Sequence, residues 1–79
     1  MSYELAIMAL EGLRRSPMTI RVEGEEIVIE GGGEAFKHLA RLCLLLGGEH
    51  LGDDEAFELQ PGMHVSSGSP ALRLRLRTE

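Results

Sequence analysis

The chain reads as a small α+β domain of element order α-β-β-α-β-β. The expected arrangement has two layers: a four-stranded, largely antiparallel sheet covered by the central helix. Three observations predict it. Apolar residues recur at spacings of three and four in two separate runs, and they alternate with polar residues in four others. A glycine-centred turn joins the first two alternating runs at hairpin distance. The 79 residues, 43% of them hydrophobic, suit one domain (residues 1–79) around a single modest core.

Each element has its own local cause. Over residues 3–14, Tyr3, Ala6, Ile7, Leu10 and Leu13 share a helical face. Ser2 is placed to cap the N-terminus, and Arg14 and Arg15 fall where a helix C-terminus favours cations. A strand through Leu5, Ile7 and Ala9 is the alternative, but it leaves Met8 and Leu10 on the wrong face, so the helix is preferred. Ser16-Pro17 stops this element. Thr19–Glu23 and Glu26–Glu30 then alternate, Ile20 and Val22 in one, Ile27 and Ile29 in the other, with Gly24 supplying the positive φ of a tight turn. Gly31-Gly32-Gly33 leads into a helix over about 34–46, whose stripe is Phe36, Leu39, Ala40 and Cys43, widened by Leu42 and Leu46; Lys37, His38 and Arg41 hold its polar side. Gly47-Gly48 ends it. An acidic loop over 49–55 precedes a third strand with Phe57 and Leu59. Pro61-Gly62 turns the chain, and Leu72, Leu74 and Leu76 alternate with Arg73, Arg75 and Arg77 in the last strand.

Composition narrows the function. With 8 basic and 13 acidic residues the net charge is −5, which argues against nucleic acid as a partner, because that affinity comes from neutralising phosphates. Tyr3, Phe36 and Phe57 are the only aromatics, too few for a base-stacking platform. The longest apolar run, Leu42–Leu46, falls far short of the ~20 residues of a membrane span. Met1-Ser2-Tyr3-Glu4 lacks the basic start of a secretory signal. A lone cysteine, Cys43, cannot close an internal disulfide. The expectation is a cytoplasmic protein.

Several constellations invite chemistry and do not complete it. Glu34-Ala35 follows the three glycines where a phosphate loop needs Lys and Ser or Thr. His38, His50 and His64 lack metal-ligand spacing. His64 near Ser66, Ser67 and Ser69 supplies a base and nucleophiles in composition alone. Asp53-Asp54-Glu55 lacks the alternate spacing of a calcium loop. Neither a cofactor nor a metal is expected, and the chain reads as a non-enzyme. The features left over suit a protein partner. Asp53, Asp54 and Glu55 would attract a basic surface. Arg73, Arg75 and Arg77 would grip an acidic one or pair across the sheet with Glu58, Glu26 or Glu30. Leu44 and Leu45, on a helix apolar around most of its circumference, would be exposed unless the first helix covers them, and would then form a homodimer or partner interface.

Four blocks carry a family resemblance: Ile27-Val28-Ile29-Glu30-Gly31, Leu39-Ala40-Arg41-Leu42-Cys43-Leu44, Leu59-Gln60-Pro61-Gly62-Met63 and Ser67-Gly68-Ser69-Pro70-Ala71-Leu72. Together they cover about two thirds of the chain. In this it resembles the immunity protein thirty-two family of bacterial polymorphic toxin systems. Gln60 and Phe57 stand where that pattern carries an acidic residue and a histidine. The resemblance implies a cytoplasmic inhibitor that binds a cognate toxin and has no catalytic residues.

Overall fold

The computed structural model describes residues 3–48 and 56–77. The elements follow one another as α1 (Tyr3–Arg15), β1 (Thr19–Glu23), β2 (Glu26–Glu30), α2 (Gly33–Gly48), β3 (Ala56–Leu59) and β4 (Leu72–Arg75). Residues 3–15 are thus helical, and the class is α+β.

The sheet departs from expectation. Among the described residues the strands form two separate antiparallel pairs, β1 with β2 and β3 with β4, rather than one four-stranded sheet. The reason lies on the second edge of β1. There Ile20 donates its N–H to the Ser69 hydroxyl at 2.8 Å. Just upstream, Met18 donates to the His64 carbonyl at 3.1 Å, and Ser66 donates to the Met18 carbonyl at 2.7 Å. A parallel bridge between Met18 and Val65 results. Backbone groups that would have joined the hairpins strand to strand are already satisfied by the 64–69 loop.

Both turns use a glycine in the left-handed region, Gly24 at φ 61° and Gly62 at φ 82°. In the first hairpin Glu23 faces Glu26, so Gly24 opens a two-residue loop where a primed turn takes positive φ. In the second, Gly62 donates to the Val65 carbonyl at 2.9 Å, while the Gln60 carbonyl accepts from Met63 and His64.

One buried cluster joins the halves. α1 contributes Ala6, Ala9 and Leu13; α2 contributes Ala35, Leu42, Leu45 and Leu46; the strands add Ile20, Phe57 and Leu59, and the loops Met18 and Val65. Two stripes are rotated from the expected ones. Ile7 of α1 lies outside and Ala9 inside, because the small Ala9 lets α1 approach its neighbour. On α2, Phe36, Ala40 and Cys43 are exposed, while Ala35 and Leu45 are buried. The physical cause is that α2 has α1 as its main packing partner, so its inward sector turns toward that helix rather than toward a covering sheet.

In the first hairpin burial does not alternate to the end, because the core stops short of it and Val28 on the other face is itself partly covered. Ile20 opposite Ile29 sits at the core, whereas Val22 opposite Ile27 is 66% and 72% exposed. The hairpin therefore projects beyond the body.

Candidate protein-interaction surfaces

Where α1 meets α2, Gly12 is buried, and a β-carbon built on it would lie 2.2 Å from Nε2 of His38. Only glycine lets the imidazole seat there. Arg41 donates to His38 Nδ1 at 2.9 Å, so a neutral ring carries its proton on Nε2, and Glu34 Oε2 lies 4.0 Å from that nitrogen. His38 is thus half-buried packing between the helices rather than the surface residue its polar neighbours suggest.

Beside this contact runs an open groove of about 540 Å³. Its apolar wall is Leu5, Ile7, Met8 and Ala9, and its polar rim is Glu11, Arg15, His38 and Arg41. Leu5, Ile7 and Met8 are each more than half exposed. Glu11 is engaged by Arg14 at 3.3 Å. Sequence reasoning passed over this groove; the available signal was that α1 carries apolar residues on more than the one face its core requires.

The final strand's arginines divide. Arg73 faces Glu58 in register and pairs with it at 3.3 Å, the cross-strand partnership that the alternation suggested. Such an exposed pair contributes only ~0.2–1 kcal/mol. Arg75 lies opposite Ala56. Among the described residues neither Arg75 nor Arg77 has an acidic partner, and both are exposed. Glu30 is taken elsewhere: Arg21 pairs with it and, at 2.8 Å, with Glu23. Leu44 is 72% exposed but Leu45 is buried, so the two do not share a surface. Asp53, Asp54, Glu55 and His50 lie outside the described residues.

His64, Ser66 and Ser69 take part in the hydrogen bonds of their own loop. The His64 Nδ1 accepts the Gln60 N–H at 3.1 Å, and Ser66 and Ser69 share a hydroxyl bond of 2.8 Å. Burial, then the positive charge of Arg14, holds the imidazole below its ordinary value of 6.5, with Glu11 opposing weakly. The unfolded chain therefore takes up this proton at a higher pH than the folded one. Stability contributed by neutral His64 is full above about pH 6.5 and falls as pH drops below it. Urea midpoints between pH 7.5 and 5.5 should fall more for the native chain than for His64→Ala; equal falls would contradict this assignment.

Among the described residues there is no group of three metal-ligating side chains, and no helix is long and apolar enough to cross a membrane. No protein-family model, curated protein or solved structure matches this chain.

Proposed function

We propose that this chain is a non-enzymatic protein-binding domain. The observation that carries the reading is the amount of apolar side chain left outside a small core: Leu5, Ile7 and Met8 on α1, and Val22 and Ile27 at the hairpin end. Clustered exposure of this kind marks protein interfaces. The more specific proposal is a cytoplasmic immunity protein that neutralises a cognate bacterial toxin. The sequence blocks support it, and so do Arg75 on β4 and Arg77 just beyond its end, which have no acidic partner among the described residues and suit an acidic surface.

Growth rescue tests it. Each gene product encoded beside this chain is expressed in a bacterial host, alone and with the chain. One is expected to arrest growth alone and to be relieved by co-expression. Arg75→Glu with Arg77→Glu should then weaken the purified complex about tenfold or more. If no neighbouring product is relieved, the toxin reading is lost.

The second reading, a homodimeric accessory domain, is favoured by Leu44, which projects from α2 away from the core.

A further inference from the structure

Two surfaces of this chain are complementary to each other in both hydropathy and charge. The first is the α1–α2 groove, apolar along Ile7 and Met8 and cationic at Arg15 and Arg41. Its single acid, Glu11, is offset by Arg14, and Arg15 has no acidic partner among the described residues. The groove is thus a locally positive site on a chain whose net charge is −5.

The second is the end of the β1–β2 hairpin. Val22 and Ile27 face each other across the ribbon and are among the most exposed apolar side chains of the molecule. They are followed by the acidic turn Glu23-Gly24-Glu25-Glu26. Glu23 is held by Arg21, but Glu25 and Glu26 have no cationic partner among the described residues. A projecting ribbon whose apolar pair adjoins the Glu25 carboxylate is the counterpart of an apolar groove whose rim carries Arg15 and Arg41, the latter also donating to His38.

We propose that the occupant of the groove is the β1–β2 hairpin end of a second copy of this chain. Val22 and Ile27 seat against Ile7 and Met8, and Glu25 at the turn reaches Arg15; Glu26, one position from Ile27, lies on the opposite face of the ribbon. The inference rests on the protein-binding reading and specifies its partner at this surface; the Arg75 and Arg77 face stays available to another protein. Because groove and hairpin end are different patches, the contact either closes reciprocally into a two-fold dimer or runs head to tail. Four apolar side chains per seat make a small contact of the weak, transient class.

The test is solution mass by light scattering and sedimentation across about 10 μM to 1 mM, a range that brackets weak association. The full chain is measured with two surface variants, Ile27→Lys at the hairpin end and Met8→Glu in the groove, each confirmed folded by circular dichroism. The native chain should rise with concentration from 8.7 kDa to twice that or more, while each variant alone stays monomeric. Mixed in equal amounts the variants should associate again, since one keeps an intact groove and the other an intact hairpin end. A native chain that stays at 8.7 kDa overturns the proposal, as does self-association that neither variant weakens, or a mixture that does not associate. Growth rescue by a neighbouring gene product is read separately, so loss of this contact and loss of the toxin reading are distinguishable.

Discussion

Leu45→Glu will leave the chain largely unfolded at 25 °C, whereas Leu44→Glu, one position earlier, will leave it native. The two leucines are successive on α2 and so lie about 100° apart around its axis. Leu45 is buried against the core and Leu44 is 72% exposed. A glutamate at 45 forfeits the transfer free energy of the leucine and places a carboxylate where it has no built partner. The combined cost is on the order of 4 kcal/mol or more. A core of this size supplies about 3–5 kcal/mol of net stability, so one substitution exhausts it. At 44 the carboxylate meets water, and the change should stay within about 0.5 kcal/mol. Far-UV circular dichroism with urea titration reads both. A cooperative native transition for Leu45→Glu would mean that α2 turns a different face inward.

Ser69→Ala is the second large effect, expected to cost about 1–3 kcal/mol for a change of one oxygen atom. Ser69 is buried, and its hydroxyl accepts the N–H of Ile20 across 49 positions of chain. Without it that amide, on a residue only 3% exposed, keeps the desolvation penalty and loses its partner. The loss falls where the 64–69 loop closes the open edge of β1, so it loosens the join between the two hairpins. The urea midpoint should drop, and the Ile20 amide should exchange faster with solvent. Ser66→Ala is the control: Ser66 bonds to the Ser69 hydroxyl, but Ile20 retains its acceptor, so the cost should be smaller. Equal midpoints for Ser69→Ala and the native chain would show that the loop is held by its backbone bonds to Met18 and the burial of Val65 without help from Ser69.

The elements were legible because their causes are local. Alternation about Ile20 and Ile29 with a glycine between the runs specifies a hairpin, and the structure has strands over those same residues. The period of α1 and α2 and their terminal signals specify helices wherever they pack. The arginine alternation likewise anticipated the pairing of Arg73 with Glu58. What periodicity does not carry is direction. It says that one face is apolar, yet both helices have apolar residues on more than one face, so the inward sector is chosen by the neighbour. Gly12 lets α1 approach α2 closely at His38, and in that packing Leu45 lies inside while Ile7, Met8 and Leu44 lie outside. A small residue in a helix looks like a weakness in the sequence and is a contact in the fold.

The α+β class, the six elements in their order and the turns at Gly24 and Gly62 follow from interactions among residues close along the chain, and so they can be read before folding. Long-range packing keeps the strands as two hairpins, sets a buried serine at the edge between them, and opens a cationic groove beside His38. Those features depend on backbone edges and side chains brought together from distant positions, and no spacing within a single element encodes them.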